Sequence, residues 1–246
     1  DDAAIFLLRE LADFVICLFA SWSMSRIEGR TVGDYGLPWR SAFGRYFWLG
    51  AALGIVSLTA LVGTMRVFGA AHFCGVELRG VNVAKWAIAY ALVMALVALR
   101  EDFRARGYGL FALSRIVTFW PAAILSTAFF SYSHHGNSGE DWIGLANAGL
   151  YGLLACFLLR RTGNLWFPIG LHAAWDWGET YLYGVPNSGT VLPGHLLCTQ
   201  LSGVPWLSGG TVGPEGSVLC TLVLAVAWVA CARWVVRPAD LRNPPS

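Results

Sequence analysis

The chain alternates long apolar runs with short charged clusters, and the lengths of those runs predict its elements. A helix needs about 20 residues to cross the hydrocarbon of a bilayer. Residues 46–65 meet that requirement, with Arg45 and Arg66 as the first flanking charges. The runs 116–139, 142–159 and 216–232 are equally free of Lys, Arg, Asp and Glu. Residues 164–184 give a further span, interrupted by Asp176 and Glu179. A weaker one covers 3–24, where Arg9, Glu10 and Asp13 intervene and Arg9 and Asp13 are spaced to pair one turn apart.

The third run is the informative one. Residues 86–99 are uncharged but number only 14, too few to cross. The helix must continue through Arg100-Glu101-Asp102-Phe103-Arg104-Ala105-Arg106. Five ionisable side chains then sit at or near membrane depth, each costing about 2.5–3.5 kcal/mol at a helix centre. They have to face the bundle interior, pair, or line a wet cavity. The sequence therefore predicts an all-α fold, a polytopic transmembrane helical bundle of about seven spans.

Charge fixes an orientation. Arg26, Arg30, Arg40 and Arg45 fall in the first connection, Arg100, Arg104, Arg106 and Arg115 around the third, Arg160 and Arg161 in the fifth, and Arg233, Arg237 and Arg242 in the tail. Thirteen of the 17 basic residues thus lie on one side, and 184–215 holds none. Positive-inside counting places the C-terminus in the cytoplasm and the N-terminus outside, in an integral protein of the plasma (inner) membrane. Composition agrees: 56% hydrophobic, 13% charged, against about 25% charged in soluble domains, with a mean hydropathy of +0.56. A net charge of +2 argues against a nucleic-acid partner. The opening Asp1-Asp2 lacks both Met and a basic signal-type region, so the true start is expected to be missing. Cys17, Cys156, Cys220 and Cys231 lie in apolar runs and read as buried free thiols. Cys74 and Cys198 fall where both can face an oxidising compartment, though spacing alone does not pair them. No repeat or linker divides the chain. It reads as one membrane domain, with N-terminal segments over 1–84, a motif-bearing core over 85–216, and a last span with a basic cytoplasmic tail over 217–246.

Three constellations carry chemistry. In Glu101-Asp102-x-x-x-Arg106 the Asp and Arg share a helix face and can pair, while Glu101 points about 100° away. Phe130-x-x-x-His134 and His172-x-x-x-Asp176 also lie on single helix faces. If the chain turns at Val117-Thr118 with Pro121 in the next first turn, Glu101 and His134 each lie 16 residues from the turn. Both are then about 24 Å deep on antiparallel helices, with His172 at about 12 Å from the same side. The depths agree if the first hairpin projects into the cytoplasm. Taken singly, each motif also has a plain structural use: a solvated charge cluster, an interfacial His (as His135 is read), or a packing hydrogen bond.

The three together, in this order, resemble the CPBP family of CAAX proteases and bacteriocin-processing intramembrane peptidases, of the type II CAAX prenyl endopeptidase kind. The segment 165–176 and Gly213-Pro214-Glu215-Gly216 add context, and the resemblance covers about 85–216. It implies an intramembrane endopeptidase that hydrolyses membrane-associated or lipid-modified peptide substrates. Glu101 is implied as the general base, His134 as the holder of the attacking water, and His172 with Asp176 as oxyanion stabilisers or their supports. Arg106 would orient the acidic pair. Asp102 replaces the commoner second Glu, and Asp176 stands where some members carry Asn; an ionised carboxylate cannot donate to an oxyanion. No cofactor is required by these groups. Two His and a Glu nevertheless match the ligand types of a divalent metal such as Zn, which stays open. The departures at Asp102 and Asp176 keep a non-catalytic scaffold or bacteriocin-immunity-type protein as the alternative. A transporter would need an inverted repeat or paired broken helices, and the sequence has neither.

Overall fold

The computed structural model describes residues 2–234. In chain order the elements are α1 (Asp2–Glu28), α2 (Arg45–Val67), β1 (Ala71–Val76), α3 (Val81–Arg106), α4 (Tyr108–Val117), α5 (Phe119–Ser133), α6 (Trp142–Thr162), α7 (Trp166–Trp177), β2 (Leu197–Leu201), α8 (Pro205–Ser208) and α9 (Val218–Trp234). The helical bundle is as expected, with one addition. β1 and β2 pair antiparallel from Ala71 opposite Leu201 to Val76 opposite Leu197, and Cys74 and Cys198 are joined as a disulfide across this ribbon. Cys17, Cys156, Cys220 and Cys231 are free, Cys17 half-buried and the others buried.

Three stretches are long and apolar enough to cross a membrane: Arg45–Val67, Val81–Val117 and Trp142–Thr162; Val218–Trp234 is a shorter apolar helix. Seven spans are not established. Two of the expected ones are cut short by local chemistry. α5 begins only after Thr118, which turns the backbone at φ +68, and it ends at Ser133, before the helix-breaking run His134-His135-Gly136-Asn137-Ser138-Gly139. α7 covers 12 residues before a π-helical turn over Gly178–Tyr183 takes up the chain. α6 matches its expected start, because the Asp141 side chain accepts from the Ile143 and Gly144 N–H groups. The basic tail positions Arg237 and Arg242 lie outside the described residues.

Outward faces of the long helices are apolar: Trp48 and Val56 on α2, Ile88 and Leu92 on α3, Leu222 and Val226 on α9 are all exposed. Such faces are unfavourable in water and suited to acyl chains. This is an integral membrane protein.

Small residues decide where α7 sits. Gly50 and Gly54, one turn apart on α2, meet the carbonyl oxygens of Phe167 and Leu171, and Gly170 meets the Phe47 carbonyl. A methyl group at any of the three would overlap backbone. Without a hydrophobic drive between helices in lipid, such close backbone approach is what holds two of them together. It places the α7 face that bears His172 opposite α3.

Candidate active site

The charged end of α3 splits into two separate ion-pair systems. Asp102 and Arg106 are both buried and meet at 2.5 Å, one turn apart. The Arg106 guanidinium lies over the rings of Phe130 at 4.4 Å and Tyr151 at 5.3 Å, a fit for a flat cation. Tyr151 donates its hydroxyl to Asp102 Oδ2 at 3.0 Å. Glu101 turns the other way. Arg100 holds it at 2.7 Å and also binds Glu10 of α1 at 2.5 Å. Four of the five ionisable groups expected to avoid lipid are paired in the interior. Arg104 is exposed, with its guanidinium over Phe129 at 5.5 Å. Arg106 thus orients Asp102 alone, and Arg100 takes the part expected of it towards Glu101. The Arg9–Asp13 pair does not form; both residues are exposed, and Glu10 between them makes the contact instead.

His172 stands between these systems. Its Nδ1 lies 3.4 Å from Asp102 Oδ2, in charge contact without hydrogen-bond alignment. Its Nε2 faces Glu101 Oε2 at 3.9 Å and Asp176 Oδ2 at 3.6 Å. The Tyr151 ring packs against the imidazole with centroids 5.1 Å apart. The Nε2–Glu101 separation leaves no direct hydrogen bond between them and suits a bridging water.

His134 caps the C-terminus of α5. Its Nδ1 lies 2.8 Å from the Phe130 carbonyl, which can only accept, so Nδ1 carries the proton and Nε2 is left for another partner. α3 and α4 run on as one stretch past a break at Gly107, and α5 returns beside it, the Ser126 hydroxyl donating to the Ala105 carbonyl and the Arg106 guanidinium lying over Phe130. His134 and Glu101 share a cavity of about 840 Å³, whose walls also include Arg100, Tyr151, His172 and Asp176. His135 is exposed.

Metal-capable side chains gather elsewhere. Among the described residues, ligand atoms lie within 4.8 Å of one another at Asp176, Glu179 and Glu215, and not at Glu101, His134 and His172. Glu179 is fully buried, and neither of its carboxylate oxygens has a hydrogen-bond partner. Glu140, in the turn before α6, is pushed above its ordinary value by burial and by Glu215, with His134 opposing.

Four participants escaped the sequence reading. Arg100 has no named role beyond a cytoplasmic charge and one of the five ionisable groups of the third run, and Glu10 and Glu179 stand only as interruptions of apolar runs. An acid inside such a run demands a partner, and that was the available signal. Tyr151 carried a weaker one, a lone hydroxyl midway along an uncharged span.

With the geometry in place, residues 82–178 match the family model described as Rce1-like, type II CAAX prenyl endopeptidase. The match covers less than half of the chain, takes in all three motifs, and ends before Glu215. The likeness drawn from the motifs is borne out. No curated protein and no solved structure matches the chain.

Proposed function

We propose that the chain, as a CAAX-type protease by its family match, is an intramembrane endopeptidase that cleaves membrane-associated or lipid-modified peptides by water activated between Glu101 and His172. The observation that carries the reading is their 3.9 Å separation at the wall of a large cavity. Every other acid of the first motif is committed: Asp102 belongs to Arg106 and Tyr151. Of the two acids in that motif, Glu101 is the one that combines cavity access with a nearby imidazole.

In this mechanism Glu101 takes a proton from the water as its oxygen attacks the scissile carbonyl carbon. The same proton then passes to the amide nitrogen as the C–N bond breaks. His172, steadied by Asp102 behind Nδ1, directs Nε2 at the water and the developing oxyanion. Asp176, a carboxylate 3.6 Å from that nitrogen, supports the imidazole rather than donating to the oxyanion. His134, in the lining of the same cavity, offers Nε2 to the substrate. Neither step calls for a metal between Glu101 and the two imidazoles.

The orientation proposed is cytoplasmic for the C-terminus, in the plasma (inner) membrane. The Arg distribution supports it, and so does the disulfide between Cys74 and Cys198, since such bonds persist in oxidising compartments. Both cysteines lie in the connections expected outside.

The test is cleavage of a lipid-modified reporter peptide by purified chain in liposomes. Glu101→Ala, His134→Ala and His172→Ala are each expected to abolish cleavage while inserting normally. Processing at the parental rate by these variants would remove the mechanism, and no cleavage by the parent would leave the scaffold alternative standing.

A further inference from the structure

We infer that Asp176, Glu179 and Glu215 form a binding site for one hard divalent cation of the Mg²⁺, Mn²⁺ or Ca²⁺ class, separate from the water-activating pair. Their ligand atoms all lie within 4.8 Å of one another. Metal–oxygen bonds of about 2.0–2.6 Å allow oxygens on opposite sides of one ion to stand about 4–5 Å apart, so three carboxylates spaced in this way can share one cation.

Proximity of acids would not be enough. The independent observation is Glu179, 0% exposed and with both oxygens unpartnered. A buried carboxylate without donors lacks what a folded chain normally supplies. No Lys or Arg among the described residues pairs with any of the three. The Glu215 carboxylate is already aimed: its Oε2 accepts from Ser188 N–H at 3.0 Å and Ser188 hydroxyl at 2.9 Å, leaving Oε1 free. Asp176 and Glu215 line the cavity, which gives an ion an entry path and water ligands. An all-oxygen, all-carboxylate donor set suits Mg²⁺, Mn²⁺ or Ca²⁺ rather than the nitrogen and sulfur preferences of Zn²⁺.

The three residues come from α7, the π-helical turn that follows it, and the connection before α9. A cation there ties these segments together and fixes the carboxylate that faces His172. The residues beyond 178 that complete the site lie outside the family match.

The experiment uses the full chain in detergent, stripped with chelator and titrated with Mn²⁺ alone at pH 7, free ion being read by electron paramagnetic resonance. No substrate is present, so its failure leaves the peptidase reading untouched. One saturable site per chain is expected, weakened at least tenfold in Glu179→Gln and in Glu215→Gln and unchanged in Glu77→Gln. Mn²⁺ should also raise the melting temperature of the parent but not of Glu215→Gln, whose partly exposed position makes it the variant to rely on if Glu179→Gln misfolds. Absence of a saturable site, or equal binding by parent and both cluster variants, overturns the inference in favour of carboxyls that share protons.

Discussion

Asp102 and Arg106 form an ion pair with both side chains wholly shielded, 2.5 Å apart on successive turns of α3. Around it stand the Tyr151 hydroxyl and two aromatic rings. Removing one partner leaves the other charge buried without compensation, at a cost of about 3–5 kcal/mol. Asp102→Ala is therefore expected to lower the melting temperature sharply. Replacing both residues with apolar ones of similar volume, as in Asp102→Leu with Arg106→Met, should recover most of that stability and no activity. Thermal unfolding in detergent beside the cleavage assay checks both halves. Equal stability of Asp102→Ala and the parent would mean that the pair is not structural.

Glu101 has a different set of neighbours, so its substitutions should act on rate rather than on folding. Glu101→Gln keeps the shape and the contact to Arg100 but cannot take a proton. A loss of about 10²–10⁴ in kcat, the usual contribution of a general base, is expected with an unchanged melting temperature.

Arg100 clamps Glu101 towards α1 through Glu10. In Arg100→Gln the proposed base keeps its chemistry and loses its orientation. A fall of about tenfold to 100-fold in kcat with KM nearly constant is expected, since small misplacements of reacting groups have effects of that size. Glu10→Gln should show a weaker form of the same pattern. A change confined to KM in either variant would place Arg100 in substrate binding instead.

The motif residues were legible because spacing on a helix is local: Asp102–Arg106 and His172–Asp176 meet as one-turn neighbours. The need for a partner was legible too, in the 14-residue run that forces α3 to carry charge inward. Which partner each charge takes was not, because Arg100–Glu10 and Tyr151–Asp102 join elements far apart in sequence. The β1–β2 ribbon was hidden for the same reason, its strands being separated by five helices. Span counting was least secure where breakers cluster, as after Ser133.

Glu140 gives a pH dependence with a definite sign. Its pKa is raised in the folded chain by burial and by Glu215, and one of its oxygens is buried without a partner. The folded state then holds a proton more firmly than the unfolded state. Stability therefore falls as pH rises from the ordinary glutamate value through the raised one. Glu140→Gln should flatten the melting-temperature profile over that window. A parental profile in the variant would assign the slope to other groups.

The last prediction concerns the contact that places His172. Gly50 and Gly54 bring α2 against the backbone of α7 at Phe167 and Leu171, with Gly170 packing reciprocally on Phe47. A side chain at Gly54 must push α7 away because backbone, not a movable side chain, occupies the space. Overpacking of this kind costs about 1–3 kcal/mol. The leucine whose carbonyl Gly54 meets immediately precedes His172, so the displacement carries the imidazole away from Glu101. Gly54→Val is thus expected to lose activity out of proportion to stability. Gly63→Val, on the same helix with open space around it, should retain both. Cleavage rate plotted against melting temperature for the two variants separates a positioning effect from general destabilisation: if both fall on one line, close packing of α2 on α7 does not set the site.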